Sequence, residues 1–305
     1  MAEFSIIETY FNRQNKNSVD LGVGDDSAVL TPPSGQQLVI CADTSVAGRH
    51  FPLETNPHSI GWKSVAVNLS DIAAMGAKPH SILLALSLPQ IDHDWLKGFS
   101  QGLYDCCDQF GVSLIGGDTT QSPHLTITVT ALGWIEKGQS VLRSGAKPGD
   151  YICVSGTVGD AAYGLAHLGH PLQQRLDYPT PRCELGAALK GLASSMIDVS
   201  DGLAQDLGHI LQASHVGAVL EVDQLPVSTT LLELDEKQRY QYALAGGDDY
   251  ELCFSISPEN YARLEQQNLP FAYRKIGAVR STLGLEFTQH GRAYHLNFNG
   301  YQHFA

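Results

Sequence analysis

The chain has 305 residues, 43% of them hydrophobic and 17% charged, a balance that suits a globular protein with a substantial core. Its formal net charge of −13 argues against nucleic acid as a partner, because that recognition rests on Lys and Arg meeting phosphates. No apolar run approaches the ~20 residues that span a bilayer, and six cysteines without CxxC spacing point to a reducing, cytoplasmic setting rather than a disulfide scaffold.

The opening MAEFSIIETYFNRQ lacks a basic stretch followed by an apolar core, so it reads as a short amphipathic helix (Phe4, Ile7, Phe11) and not as a signal peptide. LGVGDDSAVL predicts strand, acidic turn, strand. QLVICADTSV predicts an apolar strand whose run ends at Asp43. Residues 60–76 predict a helix with Trp62, Val65, Ala66, Leu69, Ile72 and Ala73 on its apolar stripe, closed by Gly76 and Pro79. Ser64, Asn68 and Asp71 fall at i, i+4 and i+7, on a different face of it. SILLALSLP then reads as a strand, residues 93–110 as a helix, GVSLIGGDTT as a strand, and LTITVTALGWI as an alternating strand.

The polar, Gly-rich stretch EKGQSVLRSGAKPGD (136–150) is the expected boundary between domains 1–140 and 141–305. Beyond it, YICVSGTVGDAAYGLAHLG and SSMIDVSDGLAQDLGHILQAS each predict strand, turn, helix, and AGGDDYELCFSIS predicts a turn entering a strand. Two α+β domains fit this alternation better than one doubly wound sheet.

The chain lacks the phosphate loop GxxxxGK[ST], the protein-kinase HRD and DFG triplets, and the HExxH metal motif. It has instead carboxylates in glycine-rich turns: Asp25 and Asp26, Asp43, Asp71, Asp118, and Asp198 with Asp201. Hard oxygen ligands of this kind suit magnesium, which bridges carboxylates to substrate phosphates. The same residues also fit turns and helix caps. Ser200 and Asp201 begin a helix, where free N–H groups would favour phosphate oxygens, and where Ser200 could equally be the N-cap.

In order and spacing, GDDSA, ADTSVAGRHF, NLSDIAAMGAKP, GGDTT, RSGAKPGD, IDVSDGL and GGDDYEL closely resemble the thiamine-monophosphate kinases. Those enzymes share a superfamily with aminoimidazole ribonucleotide synthetase and selenophosphate synthetase, and another ATP-dependent synthetase of that superfamily is the alternative. The resemblance implies an α+β fold in which an N-terminal domain pairs its sheet across a homodimer and an α/β C-terminal domain follows. It implies ATP-dependent phosphorylation of thiamine monophosphate, with several magnesium ions held by Asp26, Asp43, Asp71, Asp118, Asp198 and Asp201. It further implies ATP contacts at Gly117, Asp118, Arg143 and Ser200, and contacts to thiamine monophosphate at His50, Asp248 and Tyr301. Relatives often carry hydroxyl residues where this chain has Cys41 and Ala42, so metal contact there would use a backbone carbonyl. Asp248 stands where the family has Glu, and Tyr104, a candidate for stacking on adenine, stands where relatives vary.

Overall fold

The structure is a computed structural model that describes residues 2–14, 17–267 and 269–295. It divides into a first unit, Met1–Ile72 with Ala77–Gly138, and a second, Ala73–Gly76 with Gln139–Ala305. In the first unit α1 (Ala2–Ile6) runs into a π-helical turn, Ile7–Phe11. The strands β1 (Gln36–Val46), β2 (Lys78–Leu88), β3 (Ser113–Gln121) and β4 (Thr126–Glu136) form a sheet of order β1–β4–β2–β3. Only the β2–β3 pair is parallel. In β4, Ile127, Val129, Ala131, Gly133 and Ile135 are buried while the intervening residues are half-buried, the alternation expected of a sheet covered on one face.

The cover comes from α2 (Pro57–Ala74), whose last residues belong to the second unit, and α3 (His93–Phe110). The Asp92 carboxylate caps α3 by accepting from Asp94 and Trp95 N–H, and Gly111 ends it in the left-handed region. The two helices touch backbone to backbone: a Cβ on Gly102 would stand 1.8 Å from the His58 carbonyl oxygen.

Three local expectations change. The π turn shifts the helical phase, so Ile6 and Phe11 are buried while Phe4 is 73% exposed. GDDSA is flanked by the isolated bridges Leu21–Val29 and Val23–Asp25 and not by strands. The Ser64–Asn68 face of α2 is as buried as the apolar stripe, because Asn68 is satisfied internally: Nδ2 donates to the Ser64 carbonyl (3.0 Å) and Oδ1 accepts from Asp43 N–H (3.1 Å).

The second unit runs β5 (Tyr151–Ser155), α4 (Asp160–Ala166), α5 (Gln173–Asp177), α6 (Cys183–Leu189), β6 (Ala193–Asp198), α7 (Leu203–Ser214), β7 (Gly217–Glu221), α8 (Thr229–Leu232), α9 (Glu236–Ala245), β8 (Leu252–Ile256), α10 (Pro258–Glu265), β9 (Tyr273–Arg280), β10 (Gly284–Gln289) and β11 (Arg292–Tyr294). Its sheet has the order β11–β10–β7–β9–β5–β8–β6. Alternate residues of one strand feed two cores. Ile152 and Val154 join the core under α7 and α9, while Cys153 joins the core under α6 and α10. Burial on both faces explains the near-continuous apolar run of β5. Among the described residues no helix is long and apolar enough to cross a membrane.

Candidate active site

In the first unit a cleft of about 1270 Å³ lies between the acidic loop and β3. Asp25, Asp26, Gly117 and Asp118 line it together with apolar groups such as Phe11, Leu30, Leu83 and Leu114. Gly117 is required here: its φ is +150°, and a Cβ would stand 1.8 Å from the Leu84 carbonyl oxygen. The sequence-predicted Asp26, Gly117 and Asp118 therefore share one wall-to-wall space, with both carboxylates exposed.

Asp43 lies elsewhere on the same sheet. It is inside β1 and not at its end, paired with Val129, and β1 and β3 are the two edges of the sheet. Two strands consequently separate Asp43 from Asp118. Asp43 groups instead with Cys41 and Asp71: burial, reinforced by the Asp71 and Asp43 carboxylates, pushes the Cys41 thiol well above its ordinary pKa. A neutral thiol is a poor ligand for a hard cation. Because β1 is an edge strand, successive backbone carbonyls point alternately into and away from the ladder, so one of the Cys41 and Ala42 carbonyls faces outward. His50 lies just past β1, where its Nδ1 accepts the Val46 N–H at 3.0 Å. In the neutral ring that bond leaves the proton on Nε2. Tyr104 lines a separate small crevice with Arg13 and Asp108, under the Arg13 guanidinium 5.0 Å from its ring centre.

The second unit carries its candidate residues on two interlaced loops. Asp198 ends β6 and is 5% exposed. The N–H groups of Ser200, Asp201 and Gly202 all donate to a single oxygen, Oδ2 of Asp206, at 3.0, 3.0 and 3.1 Å. This corrects the expected phosphate cradle. The N–H groups of Ser200 and Asp201 are already engaged by the chain's own carboxylate, and α7 starts later, with Gly202 and not Ser200 as its N-cap. Burial, then Asp198 and Asp201, push the Asp206 pKa up to about 7.

The neighbouring loop is tied to this turn through its backbone. Asp248 N–H donates to the Ser200 carbonyl (2.9 Å), Tyr250 N–H to that of Val199 (2.8 Å), and Val199 N–H to that of Glu251 (2.8 Å). Asp248 and Tyr250 sit at φ +68° and +51°, a left-handed region that Asp tolerates better than most side chains. The Tyr250 hydroxyl donates to Asp248 Oδ1 at 3.0 Å. Buried anchors hold this strained loop in place. Asp249 accepts the N–H groups of Gly159 (2.6 Å) and Ala161 (3.3 Å) at the start of α4. Glu251, fully buried, takes Arg175 at 2.7 Å, Arg182 at 2.6 Å and the Ser155 hydroxyl at 2.5 Å. Arg143 is exposed on a loop pinned by the Ser214 hydroxyl, which accepts Gly145 and Ala146 N–H and donates to the Arg143 carbonyl. Tyr301 lies outside the described residues.

Sequence reasoning missed Asp206, Asp249, Glu251 and the two arginines. Asp249 and Glu251 lie within GGDDYEL without having been singled out, and Asp206 left a signal as an acidic residue in the first turn of a helix.

A four-stranded sheet unit followed by a seven-stranded mixed unit, with carboxylates at glycine-rich turns, is the architecture of the AIR synthase class. Residues 24–135 match the family described as AIR synthase related protein, N-terminal domain. Within that class the chain belongs to the thiamine-monophosphate kinase family. It is 44% identical over 322 residues to the thiamine-monophosphate kinase of Salmonella typhimurium, covering 99% of this chain and 98% of the relative. The crystal structure of the Stenotrophomonas maltophilia K279a thiamine-monophosphate kinase superposes with a TM-score of 0.84 at 42% identity, over 95% of this chain and 96% of that one. A structure described as AaThiL complexed with AMPPCP and TMP gives a TM-score of 0.80 at 28% identity, over 99% of this chain and 95% of that one.

Proposed function

We propose that this chain transfers the terminal phosphoryl group of ATP to thiamine monophosphate, yielding ADP and thiamine diphosphate, the last step in making that cofactor. The observation that carries this is full-length similarity, at 44% identity, to thiamine-monophosphate kinases, joined by a structural relative that holds AMPPCP and TMP.

Both substrates are anionic, and the protein is too. Two unit charges 4 Å apart repel by about 1 kcal/mol in water and about 4 kcal/mol at an effective dielectric of 20. With no phosphate-loop lysine, and with the N–H groups of the turn 200–202 already engaged, bound cations would supply neutralisation. The donor set fits magnesium. Asp26, Asp43, Asp71, Asp118, Asp198 and Asp201 are all hard oxygen ligands. Magnesium takes one or two carboxylates and completes its shell with phosphates and water. Held by these carboxylates, magnesium would supply positive charge to offset that of the phosphates during transfer.

The chain's own residues supply position. Gly117, Asp118, Arg143 and Ser200 are the proposed nucleotide contacts, and of these Gly117 and Asp118 line the acidic cleft of the first unit. His50 donates from Nε2 to the acceptor phosphate, and Asp248 and Tyr301 hold the thiamine moiety. No general base is required, because a phosphate dianion is already nucleophilic near neutral pH. Leu38 and Ile40, 42% and 58% exposed on edge strand β1, support a homodimer formed through the first unit's sheet. Six free cysteines support a cytoplasmic location.

The test is ADP release at saturating magnesium with thiamine monophosphate or thiamine as acceptor. Turnover is expected with the first alone, since thiamine offers a hydroxyl with no base beside it. Comparable turnover with thiamine would overturn the assignment.

A further inference from the structure

A carboxylate at 2% exposure, beside two others and with no cation among its hydrogen-bond partners, is costly to bury. Asp206 is held there by three backbone N–H groups from consecutive residues, all converging on one oxygen. Three N–H groups aimed at one point cannot be satisfied by an ordinary helix start, since the first turn has no carbonyl to offer them. Without the Asp206 oxygen the turn 200–202 would have to open towards water and rotate its peptide planes. Asp198 and Asp201 flank those peptides.

The turn is not isolated. The Ser200 carbonyl accepts from Asp248 N–H at 2.9 Å and the Val199 carbonyl from Tyr250 N–H at 2.8 Å. The same peptide units that donate to Asp206 on one side therefore accept from the strained 248–250 loop on the other. Asp248 has little independent freedom. Its left-handed φ persists only while neighbours over-determine it, and the Ser200 carbonyl is one of them.

We infer that Asp206 is a positioning residue: its carboxylate oxygen sets the turn that carries Asp198 and Asp201 and, through the Ser200–Asp248 hydrogen bond, the loop that carries Asp248. The nucleotide side and the acceptor side of this unit are thereby one mechanical piece. Asp206 touches neither substrate, and the inference rests on the thiamine-monophosphate kinase reading only for the identity of the acceptor. The role needs an acceptor oxygen at that point and not a negative charge, so a neutral amide should serve.

The test compares Asp206→Ala and Asp206→Asn with wild type by melting temperature, by Michaelis constants for ATP and thiamine monophosphate, and by calorimetric binding of magnesium–AMPPCP. The Ala variant should raise both Michaelis constants at least tenfold and weaken magnesium–AMPPCP binding by a similar factor while remaining folded at the assay temperature. The Asn variant, whose amide oxygen replaces Oδ2, should stay within about threefold of wild type on all three. A purely structural role would lower the melting temperature of the Ala variant and leave its Michaelis constants unchanged, which would overturn the inference. An Asn variant as impaired as Ala would also overturn it, because the charge would then be the requirement. Should the Ala variant not fold, Asp206→Glu keeps the charge and moves the oxygen by one methylene; unchanged Michaelis constants there would count against positioning, and raised ones for it. If the wild type fails to phosphorylate thiamine monophosphate, the functional reading falls, while the magnesium–AMPPCP ratios still decide the role of Asp206.

Discussion

In the first unit Asp26, Asp43 and Asp118 reach solvent from an open loop and from the two edge strands of a sheet. In the second, Asp206, Asp249 and Glu251 are at most 2% exposed, and every one of them accepts from backbone N–H groups, arginines or a hydroxyl. The same kind of side chain thus does two jobs. The first three face solvent, where a cation can approach. The latter three are committed to the chain and fix where its loops lie. Counting acidic residues in turns does not separate these roles, because the partner that defines each role is distant in sequence: Arg175 and Arg182 lie 76 and 69 residues from Glu251.

This contrast can be broken most forcefully at Glu251. Removing it in Glu251→Ala leaves two largely buried guanidinium groups without their partner, a change that typically costs about 3–5 kcal/mol. Chemical denaturation should show a loss of that order, and a loss under about 1 kcal/mol would mean the cluster does not hold the loop. The opposite behaviour is expected of Asp43→Asn and Asp118→Asn. Exposed and outside the core, each should change stability by less than about 0.5 kcal/mol while turnover at saturating magnesium falls to under a tenth of wild type. A variant retaining more activity than that would remove its residue from the metal set.

Asp248 lies between the two categories, half-buried and strained. Asp248→Ala should raise the Michaelis constant for thiamine monophosphate far more than that for ATP. Asp248→Glu, the family's usual residue, should change it by less than about tenfold, or ~1.4 kcal/mol. Equal shifts for both substrates in the Ala variant, with a lowered melting temperature, would assign Asp248 to the turn alone. The smallest effect is expected for Tyr250→Phe, which deletes one hydrogen bond to Asp248 Oδ1 and should cost about 1 kcal/mol in stability. No measurable change would show that the bond does not restrain the loop.

The four strands of the first unit and the helix over 93–110 were legible in the sequence because their signals are local, such as the alternation in LTITVTALGWI, whereas β7, β9, β10 and β11 drew no reading. The amphipathic reading of α2 was incomplete because Asn68, polar by composition, is buried by hydrogen bonds to Ser64 and to Asp43 on a strand 25 residues away. The carboxylates of the site were legible as a set, and their grouping was not. Asp118 falls with Asp25 and Asp26 in one cleft, and Asp43 with Asp71 on the far side of the sheet, as a consequence of the β1–β4–β2–β3 order, which no local pattern encodes. The N–H groups of the SDG turn looked available for phosphate because the residue that satisfies them, Asp206, is itself an unremarkable acid in a helix.

The most direct measurement is phosphorus NMR of ATP and thiamine monophosphate incubated with the protein and magnesium. The expected result is loss of the thiamine monophosphate resonance, with ADP and the paired resonances of thiamine diphosphate growing in equal amounts, and no transfer once magnesium is chelated. ADP accompanied by inorganic phosphate, with thiamine monophosphate untouched, would contradict phosphoryl transfer to this acceptor.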